Sequence, residues 1–175
     1  PKYAAVLAAY ADGLVLVSEE KGSGIALTQK YGMVDRKGNP VIEAKYDQLF
    51  RSDDHFLFRV DKQMGMVDLQ GKEVVPAEFA ELAHFRQGLA AATKEGALYG
   101  YIDKTGKWVI APAFTAAHSF TPDGTAWAKG KGSDGTPLYG RVDKTGKWVV
   151  EPKFAEVSGT AAKLPGGAWG YVDKA

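Results

Sequence analysis

The run Tyr99-Gly100-Tyr101-Ile102-Asp103-Lys104-Thr105-Gly106-Lys107-Trp108-Val109-Ile110 returns almost unchanged as Tyr139-Gly140-Arg141-Val142-Asp143-Lys144-Thr145-Gly146-Lys147-Trp148-Val149-Val150. A match of that length is not chance, and it constrains the fold more than composition does, because self-similarity at a fixed period means tandem copies of one supersecondary unit. Weaker copies open at Tyr31-Gly32-Met33-Val34-Asp35 and Met64-Gly65-Met66-Val67-Asp68, and a truncated one reads Trp169-Gly170-Tyr171-Val172-Asp173. Starts near 31, 64, 99, 139 and 169 give a spacing of 30 to 40 residues.

Each copy reads the same way physically. Aromatic-Gly-x-(Ile/Val)-Asp is a short strand, rich in β-branched and aromatic residues. In Asp103-Lys104-Thr105-Gly106 the Asp can accept a backbone N–H and the Gly can take the left-handed conformation, which predicts a type I turn with a G1 bulge. Lys107 to Ile110 is then the returning strand of a hairpin. Pro-x-aromatic follows, as Pro112 with Phe114 and Pro152 with Phe154, and in altered form as Pro76 with Phe79 and Ala44 with Tyr46. Pro interrupts the ladder and the aromatic plugs the core. Gly88 to Thr93, Gly124 to Ala128 and Gly13 to Val17 read as a third strand that runs into the next copy and pairs antiparallel with it. The connectors, such as Phe114 to Phe120, are expected to hold a helical or 3₁₀ turn at most.

These residues resemble the WG-repeat family, also called KWG repeats, whose usual form is W-G-[YF]-[IV]-D-x-x-G-[KE]-x-[VI]-I-x-P-x-[FY]. The resemblance spans nearly the whole chain. Trp occupies the first position only at Trp169, and the copies at 31 and 64 lack the ordered Pro-x-aromatic, so those two are expected to be the looser units. The resemblance implies bacterial interaction or envelope-associated modules without a shared activity or cofactor.

The fold class expected is therefore all-β, with tandem three-stranded antiparallel meanders. One meander cannot bury its own face, so neighbours must stack, either as an open solenoid-like array or as a propeller of about five blades. Residues 1–175 read as a single repeat-array domain with partial units at both ends. A chain that opens without Met and in mid-repeat reads as a fragment of a longer protein. Lys2 followed by the Ala-rich run to Ala11 imitates a secretory leader. However, Pro1-Lys2-Tyr3 and Tyr10 match Pro112-Ala113-Phe114 and Phe120, so this run reads as part of the repeat.

The chain has 175 residues, no Cys and a net charge of +1. That excludes disulfides, thiolate metal sites and Cys nucleophiles, and argues against a strongly basic nucleic-acid binder. No apolar stretch reaches the length of a membrane helix.

Three apparent chemical motifs dissolve in context. Gly130-Lys131-Gly132-Ser133-Asp134-Gly135 matches G-x-G-x-x-G, but a strand follows it where a dinucleotide site needs a helix. Ser18-Glu19-Glu20-Lys21 with Lys104-Thr105-Gly106 and Lys144-Thr145-Gly146 imitates a serine acyl-enzyme, yet each K-T-G is a repeat hairpin tip. His55, His84 and His118 lack the partners that a metal site needs. No catalytic residue, cofactor or metal is expected, and the chain reads as non-enzymatic.

Two surfaces remain. Hairpin tips carry Arg36, Lys37, Lys72, Lys104, Lys107, Lys144, Lys147 and Lys174, which stacking would align into a basic edge, with Glu78, Glu81, Glu151 and Glu156 gathered in the connectors opposite. Trp127 stands where other copies have small or aliphatic residues, and it is the aromatic expected to be exposed. Gly100, Asp103, Gly106, Trp108, Gly140, Asp143, Gly146 and Trp148 are expected to be structural. The expected function is a protein-protein interaction scaffold. The alternative is a carbohydrate-binding module that uses exposed aromatics.

Overall fold

The Asp that ends the strand Tyr/Met-Gly-x-Val/Ile-Asp can hold the turn that follows by accepting backbone N–H groups, and in the computed structural model it does so in four copies. The structure describes residues 2–23 and 27–172, so the tip residue Lys174, together with Pro1 and Asp173, lies outside the described residues. Asp103 Oδ1 accepts the N–H groups of Thr105 at 2.8 Å and Lys107 at 3.2 Å, and Gly106 closes the turn with φ 83°. Asp143 does the same for Thr145 and Lys147, Asp68 for Gln70 and Lys72, and Asp35 for Lys37 and Asn39. The expected turn chemistry is present in all four hairpins.

Among the described residues the strands gather into five small antiparallel sheets, none closed into a barrel. The first holds β1 (Ala5–Ala9), β2 (Val15–Lys21), β3 (Thr28–Val34) and β4 (Pro40–Tyr46) in that spatial order. The second holds β5 (Gln48–Ser52), β6 (His55–Val60), β7 (Gln63–Asp68) and β8 (Glu73–Phe79). The third holds β9 (Glu81–Leu82), β10 (Ala90–Thr93), β11 (Tyr99–Ile102) and β12 (Trp108–Phe114). The fourth holds β13 (Ala116–Ala117), β14 (Thr125–Lys131), β15 (Pro137–Asp143) and β16 (Trp148–Phe154). The fifth holds β17 (Glu156–Ser158), β18 (Ala161–Lys163) and β19 (Trp169–Tyr171). No helix occurs among the described residues.

The expected meander is present, with the third strand paired antiparallel to the next aromatic-Gly strand, as in Ala126↔Val142 and Ala91↔Tyr101. The connectors differ from expectation. Where a helical or 3₁₀ turn was expected after Phe114, the chain forms an outer strand, β13, against β14. Buried or half-buried backbone groups need partners, and the free side of each third strand supplies them: Thr115 donates to the Lys129 carbonyl and His118 to that of Trp127. The Ala-rich start of the chain is the equivalent element, β1, paired with β2 through Ala5↔Ser18 and Ala9↔Val15.

Each of the first four sheets ends on the aromatic that follows the hairpin: Tyr46, Phe79, Phe114 and Phe154, all buried. Between the aromatic-Gly strand and its returning partner the register jumps, from Tyr99↔Phe114 to Tyr101↔Ile110, and likewise from Tyr31↔Tyr46 to Met33↔Ile42 and from Met64↔Phe79 to Met66↔Val75. This bulge carries the returning strand across the glycine. A Cβ at Gly100 would lie 2.5 Å from the Ile110 carbonyl oxygen and 2.8 Å from Pro112 N, and one at Gly32 or Gly65 would meet backbone at 2.6 and 2.5 Å. The copies at 31 and 64, expected to be looser for want of an ordered Pro-x-aromatic, form the same bulge. The glycine and the terminal aromatic define it, and Ala44 takes the place of Pro.

The chain divides into two compact units, Pro1–Phe79 and Ala80–Ala175, where the sequence reads as one array. In the first unit, Met33, Ile42 and Tyr46 pack against Leu49, Phe56, Phe58 and Val67 of the second sheet, with the Tyr46 and Phe58 rings 4.4 Å apart. In the second unit, Tyr101, Ile110 and Phe114 pack against Phe120, Ala126, Ala128 and Val142, and the Tyr101 and Phe120 rings stand 4.8 Å apart. Trp127 and Phe154 then pack against Ala162 of the fifth sheet. Within each unit, consecutive sheets stack face to face, as small meanders must if they are to bury their apolar sides.

Candidate interaction surface

The hairpin lysines sit at the ends of the returning strands. In the second unit Lys107, Lys144 and Lys147 are exposed and Lys104 is half-buried, while Lys72 is exposed on the β7–β8 turn of the first unit. Lys144 Nζ lies 3.5 Å from Gln87 Oε1. Lys107 and Lys147 hold equivalent places on sheets that stack, so the third and fourth sheets present them in the same way.

Strand periodicity adds a component that tip charge alone did not reveal. Side chains alternate along a strand, so Val109 shares the outward face with Lys107, and Val149 with Lys147. Both valines are exposed, whereas Ile110 is buried. β12 and β16 are the outermost strands of their sheets. Each therefore offers an edge without a paired strand among the described residues, beside an exposed Lys-x-Val pair. The expected separation of basic tips from acidic connectors does not hold on β16, where Glu151 occupies the next outward position after Val149, with Lys153 beyond it. Glu156 is in a connector strand and pairs with Lys163 at 2.9 Å, and Glu81 accepts the Tyr99 hydroxyl at 2.7 Å. That hydrogen bond and partial burial push the Tyr99 pKa up to about 12.

Trp108 and Trp148 are half-buried and lie across the repeat glycines. A Cβ at Gly100 would meet Trp108 Cζ3 at 2.8 Å, and one at Gly140 would meet Trp148 Cζ3 at 2.8 Å.

Trp127 is not the exposed aromatic that the sequence suggested. It is buried against Phe154, edge to face at 5.7 Å between ring centres, and its indole N–H donates to the Gly159 carbonyl at 2.8 Å. Other copies hold Leu16, Leu57 and Ala91 at this column, and the fourth sheet fills the same interior with one large ring.

Sequence reasoning also passed over Arg141. The position after the repeat glycine holds Met33, Met66 and Tyr101 in other copies, all fully buried, and Arg141 is buried there too. Its guanidinium lies 5.3 Å from the Trp127 ring centre, and Nη2 pairs with Asp123 Oδ2 at 2.8 Å. Its Nε is buried without a hydrogen-bond partner among the described residues. Burial works against the Asp123 charge, but hydrogen bonds from Thr121, Thr125 and Arg141 outweigh it and hold the carboxyl well below the usual range. A charged residue in an otherwise apolar repeat column was the available signal. In the first unit Asp12 lies on an equivalent Asp-Gly turn and pairs with Arg51 at 2.7 Å, beneath the Tyr10 ring.

The histidines are scattered in role. His55 Nδ1 is 2.7 Å from Asp54 Oδ1, His84 is exposed, and the His118 ring stands edge to face with Tyr139, where burial lowers its pKa. Among the described residues no three His, Asp or Glu side chains converge as metal ligands.

The fold and its surfaces thus define a tandem-repeat protein of stacked small antiparallel sheets. The WG containing repeat matches residues 31–61, 64–96, 99–132 and 139–160, well over half of the chain, and the chain belongs to that family. No curated protein matches it. Among solved structures it is similar to the computationally designed protein Ika8, at 8% identity, over 94% of this chain and 70% of that one, with a TM-score of 0.45.

Proposed function

We propose that this chain is a non-catalytic protein-binding scaffold that presents its returning strands to an extended, acidic and partly apolar segment of a partner protein. One observation carries this reading: the repeated exposure of Lys107 with Val109 and Lys147 with Val149 on outermost strands of stacked sheets. Lysine on a sheet edge also serves to discourage edge-to-edge aggregation, but exposed valine beside it works against that purpose. Together they suit an incoming strand, in which main-chain hydrogen bonds give affinity and alternate side chains give specificity. The K-T-G sequences support a structural part for these turns, since each is held by its own Asp.

The test is capture from a lysate of the source cell, with the double variant Lys107→Glu/Lys147→Glu run beside the unaltered chain and both run against a glycan array. A protein captured by the unaltered chain, released by salt and lost with the variant, is the expected result. Glycan binding that ignores salt and the charge reversals, with no protein captured, would replace this reading by the carbohydrate-binding one.

A further inference from the structure

Three of the four returning strands carry a barrier to further strand pairing, and the fourth carries none. The Ile110 carbonyl oxygen and Pro112 N both lie against Gly100, where a Cβ would meet them at 2.5 and 2.8 Å. Across a trans peptide the C=O of one residue and the N–H of the next point opposite ways, so Ala111 turns both its N–H and its C=O away from the sheet. The residue in this place is the one that an added strand would meet. It is Glu43 in β4, Pro76 in β8, Ala111 in β12 and Glu151 in β16, all four exposed. A charge or a residue without N–H guards an edge. Ala111 supplies neither, and Val109, Pro112 and Ala113 beside it are also exposed and uncharged. β12 has no strand beyond it among the described residues, and it lies far from both ends of the chain.

We propose that β12 is a self-association edge, at which two molecules pair their β12 strands antiparallel about a two-fold axis through Ala111. In that register Ala111 meets Ala111 of the second molecule, and each N–H donates to the other's C=O, as in a hydrogen-bonded pair of an antiparallel ladder. Val109 meets Ala113 of the second molecule, so exposed apolar side chains are covered on both. Lys107, the nearest charged residue of the strand, meets Thr115, so no like charges are opposed. Such an interface uses the same patch on both molecules and closes with two. The equivalent axis through β4 or β16 would set Glu43 against Glu43 or Glu151 against Glu151, and like charges directly opposite are destabilising. Through β8, Pro76 brings no donor. Charge and donors thus select one edge of the four. β16 keeps its own edge, which leaves Lys147 and Val149 to the partner segment proposed above.

The experiment is sedimentation equilibrium of the whole 175-residue chain over a range of concentrations, with Ala111→Glu beside it. That variant places in β12 the residue that β4 and β16 already carry, so its far-UV circular dichroism is expected to match the unaltered chain. A monomer–dimer equilibrium is expected, with at least about tenfold weaker association in Ala111→Glu. Cross-linking gives a second reading. The chain has no Cys, so one introduced thiol is unique. Ala111→Cys treated with a short bismaleimide is expected to yield a covalent dimer, and Glu151→Cys, at the equivalent place in β16, to stay monomeric at the same concentration. A chain that is monomeric at every concentration, a dimer that persists in Ala111→Glu, or equal cross-linking of the two Cys variants would overturn the proposal. Lys107→Glu/Lys147→Glu keeps the dimer, since residue 107 faces Thr115, so failure of the partner-binding reading and failure of this one are seen separately.

Discussion

The carbonyl oxygen of Val150 occupies the space that a Cβ on Gly140 would need, and Pro152 N lies 2.9 Å from the same point. The repeat glycine is therefore fixed by a crossing strand and not by turn geometry, since Gly140 is not among the glycines with positive φ. Gly140→Ala is expected to destabilise the second unit by about 1 to 3 kcal/mol, as forced overpacking does. Gly170→Ala, at the equivalent position where a Cβ meets nothing within 4 Å among the described residues, is expected to be neutral or slightly stabilising, because alanine restricts the unfolded chain. Urea melts of the two variants check this, and equal stability would refute the crossing.

Trp127 anchors the packing of the fourth sheet on the fifth. Trp127→Ala is expected to cost about 3 to 5 kcal/mol, the range for removing a large buried aromatic. Trp127→Phe keeps most of the ring and leaves the Gly159 carbonyl to water, so about 1 kcal/mol is expected from the lost hydrogen bond in addition to the smaller volume. An exposed binding residue would behave oppositely, with unaltered melting and altered binding. Denaturation of both variants, read at equilibrium, separates the two cases.

How much of this was legible in the sequence depended on whether a local rule or a neighbour decided each residue. Asp103 and Gly106 follow from turn chemistry that acts within five residues, and the structure keeps it in the four hairpins at Asp35, Asp68, Asp103 and Asp143. Pairing of the third strand with the next aromatic-Gly strand follows from their adjacency in the chain. The outer strand at Ala116 was not legible, because only the free side of β14 makes Thr115 and His118 extend. Trp127 and Arg141 were misread or missed for a related reason: each fills an interior whose other wall comes from residues far along the chain, Phe154 and Gly159 for the tryptophan and Asp123 for the arginine. The outward valines were visible in the repeat itself, but their exposure required knowing that β12 and β16 are edge strands.

The Arg141 and Asp123 pair predicts an acid-sensitive stability. The folded Asp123 carboxyl titrates below its unfolded value of about 3.9, because the hydrogen bonds from Thr121, Thr125 and Arg141 exceed the burial that opposes them. A depressed folded pKa contributes stability that is present above the unfolded value and is lost as pH falls toward the folded one. Below about pH 4 the unaltered chain should therefore lose stability more steeply than Asp123→Asn. At pH 7 Asp123→Asn should be the less stable of the two, by up to about 3 to 5 kcal/mol, since Arg141 remains buried without a carboxylate. Stability measured against pH for both proteins tests the sign, and parallel curves would show that the pair does not govern acid response.

Gly146 and Gly124 both stand in the left-handed region, with φ of 86° and 79°, and differ in what lies beside them. A Cβ at Gly146 would meet Ile110 Cγ2 of the stacked third sheet at 2.8 Å, whereas one at Gly124 meets nothing within 4 Å. Both alanine variants should lose about 1 kcal/mol to the backbone conformation alone. Gly146→Ala should lose about a further 1 kcal/mol or more to the contact with Ile110. The two contributions separate in a double-mutant cycle. In an Ile110→Ala background the extra loss at Gly146 should vanish, leaving it level with Gly124→Ala, because the obstructing methyl is gone. If the two substitutions are instead additive, Ile110 does not press on the β15–β16 turn, and the stacking of the third sheet on the fourth does not run through this contact.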